Sequence, residues 1–160
     1  MKSVFTCGRL LSISALTLCL AALVGCPPGG TPEPFQIVYP VTSQDFSINS
    51  DDQLVMAVEF THAVDMSSLA PGINVILDTN VVTHAEITVA PGDTNKEIVI
   101  TSAASTADLL RFTQDAWFTL TLKGESWYAP PVRSTAGVRL DGNSDGVGGG
   151  VFEHDYIILG

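Results

Sequence analysis

The stretch Gln53-Leu-Val-Met-Ala-Val-Glu-Phe60 decides the class of fold. Leu54, Met56, Val58 and Phe60 alternate with Val55, Ala57 and Glu59, the period of two that sends successive side chains to opposite faces of a strand. Such a strand is half buried and needs a second layer to cover its apolar row. The pattern recurs at Ala116 to Lys123, with Phe118, Leu120 and Leu122 on one face and Trp117, Thr119 and Thr121 on the other. Phe35 to Tyr39, Ile73 to Leu77, Val81 to Val89, Glu97 to Thr101 and Val151 to Leu159 complete the expected strands. Asp78-Thr79-Asn80 and Pro91-Gly92-Asp93 supply turn chemistry between them. Asp65 to Leu69 reads as one helical turn capped by Asp65, and Ser105 to Phe112 as a short helix with Ser105 or Thr106 as N-cap. About seven strands and one or two helical turns, with no long helix and no repeat, predict an all-β antiparallel β-sandwich over residues 35–160.

The N-terminus addresses the compartment. Lys2 and Arg9 precede an apolar run from Leu10 to Val24, too short to span a bilayer but the length of a signal-peptide core. It ends in Leu23-Val24-Gly25-Cys26, which resembles the bacterial lipobox. The resemblance implies a signal peptide over residues 1–25, cleavage before Cys26, and lipid on the Cys26 thiol and the new amino group. Two or three chains hold a protein on a bilayer where one does not, since each buried methylene contributes about 0.8 kcal/mol. Residues 26–34, Cys-Pro-Pro-Gly-Gly-Thr-Pro-Glu-Pro, read as a tether: four prolines and two glycines build neither helix nor strand. No aspartate follows Cys26 to favour inner-membrane retention, so the outer membrane or cell surface is the expected location. Cys7 and Cys19 leave with the signal peptide, and no internal disulfide can form.

Loss of residues 1–25 removes two cations, leaving five basic against 17 acidic residues, a net −12. Lys96, Arg111, Lys123, Arg133 and Arg139 are scattered along the sequence. A chain of this charge repels phosphate backbones, and nucleic acid is excluded as a partner.

The run Leu54-Val-Met-Ala-Val-Glu-Phe-Thr-His-Ala-Val-Asp-Met-Ser-Ser-Leu69 resembles the signature of bacterial Ig-like domains of the S-layer-protein type. In that family an alternating strand ends in Phe-Ser/Thr, and Val-Asp and a helical turn follow after two residues. Trp117-Phe-Thr-Leu-Thr-Leu122 is similar to the family's strand before its final loop. Leu140-Asp-Gly-Asn-Ser-Asp-Gly-Val-Gly-Gly-Gly-Val-Phe152, with Tyr156, is similar to its last loop and strand. The likeness covers Phe35 to Gly160, and Trp127-Tyr-Ala-Pro-Pro131 departs from it as an aromatic insertion. It implies an Ig-like sandwich used as a spacer, adhesive or surface-assembly module, with no catalytic site.

The sharpest local chemistry is Asp141-x-Asn143-x-Asp145-Gly146, the first half of an EF-hand-type loop. Its twelfth position is Phe152 rather than glutamate, and Glu153 comes one residue late. Asp141, Asn143, Asp145 and Glu153 are therefore the ligands of an expected structural calcium, Asp155 being the alternative closing residue. The other reading is a turn-forming loop that needs no cofactor. His62, His84 and His154 read as solvent-facing residues on strand ends, without zinc-site spacing. No nucleophile elbow, Ser-x-x-Lys or phosphate loop occurs, and the expectation is a protein that is not an enzyme. Trp127 and Tyr128 are the candidate ligand-binding pair, for a glycan or an envelope protein; the competing reading makes them a plug over one edge of the core. The chain thus reads as a lipid-anchored, non-catalytic envelope protein, with a carbohydrate- or protein-binding lipoprotein as the alternative.

Overall fold

The computed structural model describes residues 33–110, 116–125, 127 and 130–158. The compact unit that holds every described element runs from Pro34 to Gly160. Among the described residues there are eight strands: β1 (Ile37–Tyr39), β2 (Ser47–Ile48), β3 (Leu54–Phe60), β4 (Val75–Thr79), β5 (Ile87–Pro91), β6 (Glu97–Ser102), β7 (Ala116–Lys123) and β8 (Val151–Ile158). One sheet has the order β1-β3-β6-β5, with β2 also on β3; the other has the order β4-β7-β8. All pairings are antiparallel. β1 meets Glu59 and Phe60 while β2 meets Leu54 and Val55, so the two lie along one edge of β3 as a single interrupted strand. Counted that way, the order is that of the seven-strand immunoglobulin arrangement.

The alternation of β3 is realised in full: Leu54, Met56, Val58 and Phe60 are buried and Glu59 is exposed. Ile98 and Ile100 of β6 continue the inner face of that sheet. Val75, Leu77, Ala116, Phe118, Leu120, Leu122 and Tyr156 face them from the other sheet, and all join one cluster. Phe118 stacks on Tyr156 at 4.6 Å between ring centroids, and Phe46 sits edge-on to both.

The segment between β1 and β2 stitches the sheets along one side. The Asp45 carboxylate accepts from the amides of Val41 and Thr42, both at 2.7 Å, which folds the segment into a turn. Those amide bonds hold the Asp45 pKa below the usual carboxylate value. From this turn Ser43 O accepts from Ile157 N of β8, and Thr42 O is bonded to the His154 ring.

Several boundaries differ from expectation. The strand expected at Ile73 to Leu77 begins two residues later, because Ala70 O accepts from Ile73 and Asn74 and Ala70 N donates to Asn74 Oδ1. β4 runs on through Thr79, and the strand expected at Val81 to Val89 starts only at Ile87. Here Thr79 Oγ1 accepts from Val81 and Val82, and Asp78 Oδ1 accepts from His84, which has φ +54°. Side-chain oxygens have taken the amides that a ladder would need. The two-residue β2 has no counterpart in the sequence reading. Both helical turns form: a 3-10 turn at Met66–Ser68 capped by Asp65, and α1 (Thr106–Leu109) capped by Ser105. Phe112 and Leu159 lie outside the described residues.

Phe118→Ala should destabilise the domain by about 3–5 kcal/mol, since it empties a buried stacking site. Trp117→Ala, on the outer face of the same strand, should cost clearly less. Urea denaturation of both variants at matched m-value checks the contrast.

Candidate functional site

The long connection from Gly124 to Gly150, between β7 and β8, carries most of the residues singled out by the sequence. It packs back on the domain in steps. Val132 N donates to Lys123 O, so the excursion holding Trp127 is pinched shut at its base. The fully buried Asn74 donates from Nδ2 to Ser68 O and Pro130 O, both at 2.7 Å, and ties the excursion to the β3–β4 loop. Isolated bridges then join Val64 to Ser134, Arg133 to Arg139, Phe35 to Leu140 and Asp141 to Gly149. At the start of the connection, a Cβ on Gly124 would stand 2.0 Å from Leu140 O, so only glycine allows this approach.

Asp141 is 1% exposed, and its carboxylate is engaged on all sides. Oδ2 accepts from Gln36 Nε2 at 2.7 Å and from Gly146 N at 2.8 Å; Oδ1 accepts from Asp145 N at 3.1 Å. Burial alone pushes its pKa up, but the bonds from Gln36, Gly146, Asp145 and Ser144 together outweigh it and hold the carboxyl below its ordinary value. Gly146, at φ +87°, makes the turn that brings its amide to Asp141. Within the loop Asn143 Nδ2 donates to Asp145 Oδ2 at 2.9 Å, and Asp145 Oδ1 accepts from Val147 N.

Three of the four residues assigned to calcium thus share one loop. Glu153 does not join them: it sits on β8 opposite Thr121, exposed on the outer face of the sheet. Asp155, the alternative closing residue, is opposite Thr119 and accepts from its hydroxyl at 2.6 Å. The carboxylate that does face the loop is Glu125, across a polar depression of about 230 Å³ lined also by Asn143, Asp145 and Gly148 to Gly150. Among the described residues no three His, Cys, Asp or Glu side chains come close enough to share a metal ion. A cation entering here would meet Asn143, Asp145 and Glu125, while the Asp141 oxygens already serve the loop's own amides.

Trp127 is 99% exposed, which removes the plug reading for that residue; Phe35, Val132 and Leu140 close the core beneath the connection. Tyr128 and Cys26 lie outside the described residues. The histidines are dispersed. His84 is exposed in a turn, His154 bonds Thr42, and His62, expected in solvent, is half-buried with Nδ1 on the Thr61 hydroxyl and its ring edge-on to Phe35.

No known protein-family model matches the chain, and no curated protein matches it in sequence.

A second surface went unassigned in the sequence. Trp117, 46% exposed, lines an open depression of about 500 Å³ on the outer face of the β7–β8 sheet, with Thr119, Asp155 and Ile157. Its signal was present in the alternation of β7, which put Trp117 and Thr119 on the face away from the core. Nothing in the alternation itself ranks that face above the Trp127 loop.

Asp141→Ala should cost about 1–3 kcal/mol, because it leaves Gly146, Asp145 and Gln36 without their acceptor. The loss should be equal in excess calcium and in chelator if the carboxylate is a cap; a loss that disappears in chelator would make it a metal ligand. A carboxyl with a depressed folded pKa contributes stability that is fully present above its unfolded value of about 3.9 and is lost as pH falls through the folded value. The wild type should therefore lose stability below about pH 4 more steeply than Asp141→Asn does, in melts recorded from pH 6 to pH 2.

Proposed function

We propose that this chain is a non-catalytic, lipid-anchored protein of the bacterial cell envelope, whose folded part is an Ig-like structural or interaction module. The observation that supports the reading best is the strand order, β1-β3-β6-β5 over β4-β7-β8, joined to a sequence that leads from the Leu23-Val24-Gly25-Cys26 motif through a Pro/Gly tether into β1. The sandwich is an architecture of surface and adhesion domains, which supports the reading at the level of the fold. In this reading the module is displayed on the outer membrane or cell surface by lipid on Cys26 and spaces or engages its neighbours. No cofactor is required. The Asp141 loop keeps its shape through its own hydrogen bonds, and a calcium ion at Asn143, Asp145 and Glu125 would add to a turn that already stands.

A second reading is favoured by one observation, the full exposure of Trp127. An indole held out in solvent supplies a large contact face for a sugar ring or a protein hot spot. The ligand class would be a glycan or an envelope protein, bound by the loop that also holds Tyr128.

Cys26→Ser should abolish incorporation of labelled palmitate and move the protein from the membrane fraction to the soluble one. Incorporation that survives Cys26→Ser would overturn the anchoring assignment. Trp127→Ala should leave the melting temperature within about a degree of wild type. Loss of glycan or partner binding without loss of stability would then carry the second reading over the first.

A further inference from the structure

We infer that the end of the sandwich bearing Trp127, Arg133 and Arg139 docks on the phosphate headgroups of the membrane that holds the chain's own anchor, an inference that rests on lipid attachment at Cys26. The chain enters β1 beside Arg139. Phe35 bridges Leu140, next to Arg139, and Asp141 N donates to Phe35 O. Phe35 is nine residues from Cys26 in sequence. At 3.3–3.6 Å per residue, that length spans at most about 30 Å. The entry end of the domain is therefore confined near the bilayer, at an effective concentration in the millimolar range, where individually weak contacts become populated.

Arg133 and Arg139, scattered in the sequence, are direct partners in an antiparallel bridge, so their side chains leave the backbone on the same side. Val132, Ser134 and Leu140 beside them are buried, which puts the arginines on the opposite face of the bridge, Arg139 exposed and Arg133 half-buried. Arg133 Nε is buried without a hydrogen-bond partner, and the Asp65 carboxylate is the charge that acts on this side chain. Two like charges set opposite each other are unfavourable unless an anion bridges them, and the guanidinium fork matches phosphate oxygens two at a time. Lys96, in the β5–β6 turn bonded to Phe60, and Lys123, at the end of β7, lie at this end too, so it holds every described cation.

Trp127 rises from the excursion pinched between Lys123 and Val132 at the same end, fully exposed. Indole rings partition to the headgroup level, with the apolar face toward the acyl chains and the N–H wet. Carboxylates share this end and outnumber the cations, Asp65 beside Arg133, Glu125 and Asp145 across the loop, Asp93 and Glu97 around the β5–β6 turn and Glu59 opposite Glu97, and the mature chain is net negative. Docking is consequently a matter of a few discrete phosphate contacts and one aromatic anchor, not of bulk attraction.

The test uses the full lipidated chain carrying Trp117→Phe, which leaves Trp127 as its one tryptophan, in vesicles of phosphatidylcholine with and without phosphatidylglycerol. In the mixed vesicles Trp127 emission should move to the blue and be quenched by lipid-borne bromine. Arg133→Gln and Arg139→Gln should each reduce the docked population about fivefold. The exposed Arg139→Gln alone keeps the test valid should Arg133→Gln fold poorly, and melts of each variant check this. Emission that stays at the wavelength of a water-exposed indole while the protein floats with the vesicles would overturn docking and leave anchoring intact. Protein that does not float overturns both. A shift of Trp127 by soluble glycan without vesicles would overturn docking in favour of a glycan site. Inorganic phosphate that moves the arginine side-chain resonances but leaves Trp127 in water would reduce the pair to a site for free anions.

Discussion

Everything in this domain depends on one shared apolar layer. β3 and β6 offer Leu54, Met56, Val58, Phe60, Ile98 and Ile100, while β7 offers Ala116, Phe118, Leu120 and Leu122 from the other side. Neither sheet can bury its inner face alone, so the hydrophobic gain is realised only when the two close on each other. Closure then constrains the connections. The β1–β2 segment has to cross from the edge of one sheet to β8 of the other, and Asp45 makes that crossing a defined turn by satisfying two of its amides.

The β7–β8 connection is the second consequence. Its length would leave a row of unsatisfied backbone groups if it packed without partners. Two polar side chains meet that need from inside. Asn74 is buried and links Ser68, Ala70 and Pro130, while the buried Asp141 gathers Gln36, Asp145 and Gly146. Both are acceptable in the interior because their hydrogen-bonding groups are partnered. The loop that resembles half a calcium site owes its shape to these bonds, which explains how an EF-hand-like spacing can persist with phenylalanine at its closing position.

Anchoring and charge belong together in the functional reading. On the proposed anchoring at Cys26, the end nearest the bilayer would be the one built from the β3–β4, β5–β6 and β7–β8 connections. The outer β7–β8 face, with Trp117 and Thr119 beside Asp155 and Ile157, is a separate surface, which the proposed reading would leave open to partners away from the membrane.

The sequence by itself determined the class of fold and its local punctuation. The period of two at Leu54 to Phe60 and at Ala116 to Lys123 is a property of neighbouring residues, as is the cap at Asp65, and each was realised in place; of the two caps open at the short helix, Ser105 takes the role. Strand ends near Asn74 and Thr79 were not legible, because there a side chain competes for backbone amides and only the surrounding packing decides which bond wins. The sites show the same division. Asp141, Asn143 and Asp145 are close in sequence and stay close in space. Glu153 was lost to the set because one step along a strand reverses the face on which a side chain stands, and Glu125 arrived from the far end of the same connection. Tertiary structure alone paired Arg133 with Arg139 and bridged Leu140, next to Arg139, to Phe35, since those contacts follow from how the long connection closes over the core, and no local spacing encodes that closure.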